Sequence, residues 1–340
     1  MKPSNDRNQR QRGAVMIWMA LFLLGILGFV ALGIDTAKIA ATRTQLQNAA
    51  DAGALAGASA VNTATGAVIQ DTAVVRAQAT AFENKAFVDQ PKPVVVAAAD
   101  VTFPAANEVK VTVRREAGFG GEIVTHIAQV LGITSLSLHA DATARVEPAG
   151  SVFCGLAPLF MSPPPGTDFI PGCANTYVMK YGGGAGSDGN YGGLTMPSCD
   201  NGPCAGMSPT GASTYRCLLE NGYCCEISIG QVLDTEPGNM SGPTRSGLTA
   251  RFNNDTDRRE GICYSDYTGN GARVIYVPIT SDPGAGRTPV TVLGFGAFFL
   301  KNVPGSGSES TLIGEFLYKT VPGSGGGSTS STAFTLRLIE

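Results

Sequence analysis

The sequence predicts an α+β protein. It should contain a single N-terminal transmembrane helix, its continuation as a long helix with a small sheet, and a mostly β, disulfide-containing domain. Three observations lead to this fold class. An unbroken apolar run occupies residues 14–34, and an Ala-rich stretch with helical periodicity continues it to residue 60 without a proline. All eight cysteines lie between residues 154 and 263, among short β segments rich in Gly and Pro.

The apolar run is long enough to cross a lipid bilayer. About 20 residues at about 1.5 Å per residue give about 30 Å, the thickness of the hydrocarbon core. The residues before it carry an excess of positive charge: Lys2, Arg7, Arg10 and Arg12, against Asp6. A Lys/Arg excess places its flank in the cytoplasm. We therefore expect a cytoplasmic tail at residues 1–12, an anchor at 13–34 and export of the remainder.

Beyond the membrane, the same helix carries a face of small residues. Leu46, Ala50, Gly53 and Gly57 recur at helical spacing, and we name them the helix-packing interface. Small side chains allow a neighbouring element to approach closely. The face could pack against the chain's own domain or against a partner's membrane helix, and the sequence leaves both alternatives open.

Residues 35–147 are predicted to form a small α+β region behind this helix. A second helix is expected over residues 68–88, with its apolar side made by Val68, Val75, Ala79, Phe82 and Ala86. Strands are expected at residues 94–103, 108–115 and 136–146, and a further helix at residues 122–131.

Residues 148–340 are predicted to form a mostly β exported domain, because Gly, Pro, Ser and Cys become frequent after Glu147-Pro148-Ala149-Gly150. Strands are expected at residues 176–181, 272–279, 289–301, 311–320 and 333–339, with one helix at 244–252. The cysteines suit disulfides in an oxidising compartment: Cys154, Cys173, Cys199, Cys204, Cys217, Cys224, Cys225 and Cys263. Their pairing is open, although the adjacent Cys224 and Cys225 should reach different partners.

Charge and spacing argue against most kinds of chemical site. A net charge of −3 with 15% charged residues gives no basic face for nucleic acid. His126 and His139 have no cysteine or acidic cluster at ligand spacing, and the cysteines lack the paired Cys-x2-Cys knuckles of zinc ribbons. We therefore expect no catalytic residue, no metal and no cofactor.

Three further stretches were weighed as sites. The run from Asn253 to Asp257 has the oxygen-rich alternation of a calcium loop, but Arg258 stands where an EF-hand requires glycine, so a solvated loop is expected. Residues 182–186 are glycine-rich without a following Lys-Ser/Thr, which argues against a phosphate cradle. The aromatic run from Phe295 to Leu300 is expected to be a buried strand rather than a docking strand.

The N-terminal motifs occur in a specific order: Gly13-Ala14, then Gly33-Ile34-Asp35, then Leu46-Gln-Asn-Ala-Ala-Asp-Ala-Gly-Ala-Leu-Ala-Gly57. This order strongly resembles the N-terminal region of TadG-like Flp pilus-assembly proteins, in the tight-adherence (Tad) branch of bacterial type IV pilus machinery. The C-terminal half is similar to an exported region found in part of that family, through pieces such as Gly189-Asn-Tyr-Gly192 and Gly314-Glu-Phe316. The chain lacks the Asp-x-Ser-x-Ser motif of some members, so metal-dependent adhesion is not implied.

The resemblance implies a pilin-like region at 35–147 and a non-enzymatic role in Flp pilus assembly and bacterial adhesion. It implies a single-pass protein of the bacterial inner membrane, with a cytoplasmic N-terminus and a periplasmic or extracellular bulk. The implied partners are other pilus-assembly or pilin proteins, contacted through the N-terminal helix, and membrane lipid, with no nucleic acid or small-molecule substrate. The alternative is a membrane-anchored periplasmic hydrolase with its active site in the β domain.

Two kinds of N-terminal processing compete with an uncleaved anchor. A secretory signal would have a shorter apolar region and a small-x-small site soon after it, but the nearest such site, Ala58-Ser59-Ala60, lies far downstream. A prepilin leader would be cut after Gly13, and its substrates usually carry Glu where this chain has Trp18. We therefore expect the anchor to remain uncleaved.

Overall fold

A computed structural model provides the structure of the chain. It describes residues 6–87, 91–125, 128–163, 168–181, 190–236, 238–307, 310–327 and 331–339. Within these ranges the α-helices are α1 Asp6–Ala58, α2 Gln70–Glu83, α3 Ala212–Asn221 and α4 Ser241–Asn254. The strands, in chain order, are β1 Lys85–Phe87, β2 Pro91–Pro93, β3 Val101–Thr102, β4 Glu108–Arg115, β5 Ile123–Val124, β6 Ser135–Leu136, β7 Leu138–Pro148, β8 Ser151–Val152, β9 Thr176–Lys180, β10 Leu194–Thr195, β11 Ile227–Ser228, β12 Val232–Thr235, β13 Val274–Thr280, β14 Pro289–Leu300, β15 Leu312–Leu317, β16 Lys319–Thr320, β17 Gly323–Ser324 and β18 Ala333–Leu338.

The first helix, α1, runs continuously for 53 residues, a length of about 80 Å. The first half of α1 is not covered by any other described part of the chain. The large apolar side chains described between Val15 and Ile34 are exposed by between 42%, at Ile26, and 80%, at Phe29. Its second half packs against α2, β4 and β7. The predicted single helix is therefore confirmed, and it divides into an exposed apolar half and a packed half.

A first sheet lies against the packed half of α1, with the strand order β16-β18-β7-β4-β3. β4 begins and ends where the alternation predicts, and its Val109, Val111 and Val113 are fully buried. β4 pairs antiparallel with β7, so that Val111 lies opposite Ala142. These valines meet the alanines of α1 and α2 in one hydrophobic core.

The last strand of the chain also belongs to the first sheet. β18 pairs antiparallel with β7, with Leu336 opposite Val146, and β16 runs parallel to β18. The first sheet thus takes strands from both sides of residue 148. The chain leaves this sheet after β7, forms the disulfide-containing part and returns to the sheet with β16 and β18. We call residues 35–147 together with β16 and β18 the first region, and the other residues after 147 the second region.

The second sheet contains most of the predicted C-terminal strands. Its order is β10-β12-β14-β15-β9, and β13 pairs with the other side of β14. α3 and α4 cover it through Leu219 and Leu248, which share a core with Phe298. The aromatic run in β14 is fully buried, which confirms the buried-strand interpretation. The mostly β, disulfide-containing region of the predicted fold class is therefore present.

Two predicted elements of residues 35–147 have a different conformation in the structure. The described part of the helix predicted at 122–131 is not α-helical: β5 and β6 form a hairpin there, with a 3-10 turn at Ala128–Leu131. The β-branched Ile123 and Val124 favour the strand, and Gly132 supplies the positive φ that ends the turn. The strand expected at 94–103 shrinks to β3, because a 3-10 turn at Ala98–Asp100 interrupts it.

The second predicted helix exists as α2, but it buries a different side from the one expected. Its small residues Ala73, Ala77 and Ala81 face α1 and are fully buried. Val75 and Phe82, assigned to the apolar side, are 64% and 55% exposed. Close packing against the glycines of α1 requires small side chains, and this requirement outweighs the burial of larger apolar ones.

Candidate functional site

The helix-packing interface lies inside the protein. Leu46 and Ala50 are fully buried in the core between α1, α2 and the first sheet. A Cβ added at Gly57 would lie 2.9 Å from Val109 Cγ1 and 3.3 Å from the carbonyl oxygen of Ala73. Of the two alternatives, the structure has the intramolecular one. This face is consequently closed to a partner's helix.

The exposed half of α1 presents its own small residues. Gly25, Gly28 and Gly33 have no heavy atom within 4 Å of an added Cβ, apart from the helix itself and chain neighbours. Within Val15–Ala58, α1 contains an 18-residue window with a mean hydropathy of 2.6, long and apolar enough to cross a membrane. The side chains around the glycines are apolar and exposed. This half of α1 is the surface that lipid or another apolar helix can cover.

The junction between the two halves of α1 is tied to the body by polar contacts. Asp35 follows the apolar run directly, yet it is buried, and its Oδ2 accepts a hydrogen bond of 3.1 Å from the backbone N–H of Ala128. One turn later, Lys38 Nζ donates to the carbonyl oxygen of Val124 at 3.0 Å. Sequence analysis did not single out this contact. The position of Asp35 at the end of the apolar run was the available signal.

All eight cysteines form disulfides. The bonds are Cys154–Cys224, Cys173–Cys263, Cys199–Cys225 and Cys204–Cys217. The adjacent cysteines 224 and 225 reach different partners, as predicted. The Glu315 carboxylate lies close to the Cys173–Cys263 sulfurs, but its Oε2 accepts the backbone N–H of Tyr264 at 2.9 Å.

The oxygen-rich run from Asn253 to Asp257 is only partly solvated, because Asn253, Asn254 and Thr256 are exposed but the two carboxylates are not. Asp255 and Asp257 are only 2% and 7% exposed. Asp255 accepts hydrogen bonds from the Tyr267 hydroxyl and from the backbone N–H of Arg273. Asp257 pairs with Arg259, and hydrogen bonds from that guanidinium hold the pKa of Asp257 well below its usual range. The expectation of a solvated loop was therefore wrong for these two carboxylates, which bind protein donors, and right for the three exposed residues of the run.

Arg273 is the centre of this buried polar cluster. Its guanidinium lies 4.4 Å from the ring centroids of both Phe252 and Phe299, and its nitrogens donate to backbone carbonyls, including that of Leu300. Burial lowers the pKa of Arg273, although the nearby Asp255 and Asp257 act in the opposite direction. Such a cluster joins α4 to the second sheet and carries a structural role.

A cavity of about 460 Å³ opens beside β9 in the second region. Its described lining includes one carboxylate, Asp282, and no histidine. Asn190 also lines it and is buried, with a side-chain oxygen that has no hydrogen-bond partner in the structure. Lys180 of β9 lies beside this cavity. Burial lowers the pKa of Lys180 to about 8, and Lys180 Nζ donates to Asn239 Oδ1 at 2.9 Å.

The remaining candidates divide between described and undescribed residues. His139 lies exposed on β7, opposite Arg114 of β4. His126 and residues 182–186 lie outside the described residues, so their predictions are unchanged. α3 was not predicted; it lies between Gly211 and Gly222, and the spacing of Tyr215, Leu218 and Leu219 was the signal that could have revealed it.

Comparison with known proteins gives one match. Residues 13–60 match a family model described as putative Flp pilus-assembly TadE/G-like. The matched range begins just before the apolar run and ends just past α1. No curated protein and no solved structure matches the chain significantly. The N-terminal region is therefore TadE/G-like, which supports involvement in Flp/Tad pilus assembly and suggests membrane anchoring.

Proposed function

We propose that this chain is a non-enzymatic, membrane-anchored component of Flp/Tad pilus assembly that acts in bacterial adhesion through protein contacts. The observation that carries the proposal is α1, a TadE/G-like helix whose exposed apolar half continues without a break into a folded body. About 20 exposed apolar residues in one helix are too unfavourable to leave in water. Lipid is the environment that satisfies them.

The proposed orientation places the N-terminus in the cytoplasm of a single-pass inner-membrane protein and the body outside the cytosol. Lys/Arg residues dominate the short flank before the apolar run, which favours cytoplasmic retention of that flank. Four disulfides in the body suit an oxidising compartment. Fractionation that found a soluble cytosolic chain with reduced thiols would refute this orientation and the anchor together.

Partner contact through α1 is assigned to its exposed half. Since Gly53 and Gly57 pack against the chain's own α2 and β4, Gly25, Gly28 and Gly33 are the glycines left for a partner's membrane helix. A photocrosslinking residue at position 28 should capture pilus-assembly or pilin proteins in cells. The same residue at position 27, which is about 100° or more around the helix from each of these glycines, controls for random contact in lipid. Equal capture from both positions would argue against a defined glycine face.

The functional experiment is deletion of the gene and complementation with the full chain. We expect the deletion to reduce pili and surface adhesion, and complementation to restore both. Unchanged pili and adhesion in the deletion strain would reject the role. Sheared pili from complemented cells then separate two forms of it, since a filament subunit must co-purify with the pili and an assembly factor must stay in the envelope. The mass of the purified chain shows whether it is cut after Gly13.

The proposal assigns no catalysis to the chain. The cavity beside β9 offers Asp282 and the amide of Asn190, and its described lining has neither a histidine nor a second carboxylate to complete an acid–base pair. Complementation with Asp282→Asn tests this point directly. Full restoration of pili by that variant is the expected result, and loss of pili with a normally folded chain would favour the hydrolase alternative.

A further inference from the structure

We propose that the hairpin formed by β5, β6 and the 3-10 turn at Ala128–Leu131 lies in the lipid headgroup layer and contacts the bilayer that α1 spans. We call this segment the membrane-proximal hairpin. The inference rests on the proposed membrane anchoring and adds a second, lateral contact with lipid. It therefore concerns how the body is held against the membrane rather than whether it is anchored.

The topology directs this hairpin towards the membrane end of the molecule. Gly57 faces Val109 and Gly53 faces Val111, so α1 and β4 run in opposite directions. β4 therefore approaches the membrane end of α1 as it proceeds to Arg115. β7 starts at the same end and returns along α1. The connection from β4 to β7, which contains the hairpin, is the part of the first region nearest to the apolar half of α1.

Two hydrogen bonds fix the hairpin at the point where α1 leaves its apolar run. The backbone N–H of Ala128 donates to Asp35 Oδ2 at 3.1 Å, and Lys38 Nζ donates to the carbonyl oxygen of Val124 at 3.0 Å. Ile34, the last residue of the apolar run, is exposed, whereas Asp35 is buried beneath the hairpin. Asp35 is thus the first buried residue of α1 after its exposed apolar half, although Thr36 and Ala37 behind it are again exposed.

The dimensions of a bilayer place these contacts inside the headgroup layer. With Ile34 at the edge of the hydrocarbon, Asp35 and Lys38 lie about 1.5 Å and 6 Å further along the helix axis. Each headgroup layer is about 5 to 7 Å thick. A helix tilt of about 20° shortens these heights by less than a tenth. Backbone atoms bonded to Asp35 and Lys38 are consequently at headgroup depth.

The composition of the hairpin fits this environment. From Ile123 to Leu136 the sequence contains no Asp, Glu, Lys or Arg. Ile133 is 45% exposed, and its backbone N–H donates to the carbonyl oxygen of Ala128 at 3.0 Å, so it lies beside the contact with Asp35. An exposed isoleucine at this depth is stabilised when lipid removes part of its apolar surface from water.

The test uses the full chain in vesicles of phosphatidylcholine and phosphatidylglycerol, with an environment-sensitive fluorophore at one introduced cysteine. All native cysteines are in disulfides, so Ile133→Cys provides a specific thiol. Val75→Cys is the matched control, because it is also exposed but lies beside the far part of α1, about 30 Å beyond Asp35. Trp18, the single tryptophan, reports independently on the anchor.

Lipids carrying a spin label near the headgroup should lower the emission of the probe at 133 by about twofold or more and leave the probe at 75 nearly unchanged. Lipids brominated on the acyl chain should quench Trp18. Quenching of Trp18 with equal, weak responses at 133 and 75 would overturn the inference and leave the anchor intact. A probe at 133 shielded from both lipid and aqueous iodide would overturn it in favour of contact with a second protein copy. An unquenched Trp18 would reject the anchor, and the inference with it.

Discussion

Replacing Gly57 by leucine tests whether the helix-packing interface serves the chain's own fold. Gly57 lies where α1 approaches both α2 and β4 most closely. A Cβ at this position would stand 2.9 Å from Val109 Cγ1, which real Cβ contacts essentially never show, and 3.3 Å from a backbone oxygen of α2. Leucine adds three more carbon atoms to this space. The variant therefore forces α1 away from the sheet, from α2, or from both.

The expected cost follows from two opposing effects. Overpacking a close-packed core costs about 1 to 3 kcal/mol and sometimes more, and a backbone contact that cannot rotate away puts Gly57→Leu at the upper end. Replacing glycine within a helix also stabilises the folded state by about 1 kcal/mol, because glycine has a low helix propensity. The free energy of unfolding of the first region should therefore fall by about 2 kcal/mol. This corresponds to about a 30-fold rise in the population of its open state.

Amide hydrogen exchange of the full chain in detergent measures this change locally. Amides of β4 and α2 should exchange about 30-fold faster in Gly57→Leu, while amides of the second sheet should change little. Gly28→Leu is the matched control, because no body atom lies within 4 Å of its added Cβ and the body should keep its wild-type exchange.

The opposite result would refute the intramolecular interpretation. Wild-type exchange in Gly57→Leu would mean that this face is not packed as the structure has it. If such a stable variant also lost its pili, the interface would have to serve a partner helix in cells. Gly53→Ala provides a graded comparison, since its added Cβ meets neighbours only at 3.3 Å or more and should cost less than Gly57→Ala.

Two further outcomes follow from the second region. Replacing Cys173 and Cys263 by serine should lower the free energy of unfolding by about 4.5 kcal/mol, and the same change at Cys204 and Cys217 by about 3 kcal/mol. The difference arises because the two bonds have sequence separations of 90 and 13, and the longer loop loses more entropy in the unfolded chain. Equal losses in denaturant unfolding would contradict this argument. Burial lowers the pKa of Lys180 to about 8 in the folded chain, whereas the pKa of an unfolded chain's lysine is about 10.4. Between these two pH values the unfolded state binds more protons than the folded state. The free energy of unfolding should therefore rise from pH 8 to pH 10. In Lys180→Met, the midpoint of thermal unfolding should rise less between pH 8 and pH 10 than in the wild type. The same rise in both proteins would show that other groups cause the pH dependence.

Local patterns predicted much of the fold because the physical signal was local. The apolar run and the absence of proline predicted α1, and the alternation of valines predicted β4 with its bounds. Where a short segment owes its conformation to a neighbour, the prediction failed. β5 and β6 form a hairpin because they pair with each other and the turn at Ala128 is bonded to Asp35, and neither contact leaves a periodic pattern in the sequence. The apolar side of α2 was wrongly assigned because larger residues usually mark the buried side.

By itself, the sequence determined the membrane-length helix, the presence of cysteines for disulfide bonds in the second region, and the resemblance of the N-terminal region to pilus-assembly proteins. These features depend on composition, order and spacing along the chain. Tertiary structure alone decided which cysteines pair, which face of α1 is closed, and that β18 returns to the first sheet beside β7. The physical reason is that each of these depends on contacts between residues distant in sequence, whose free energies no local pattern records.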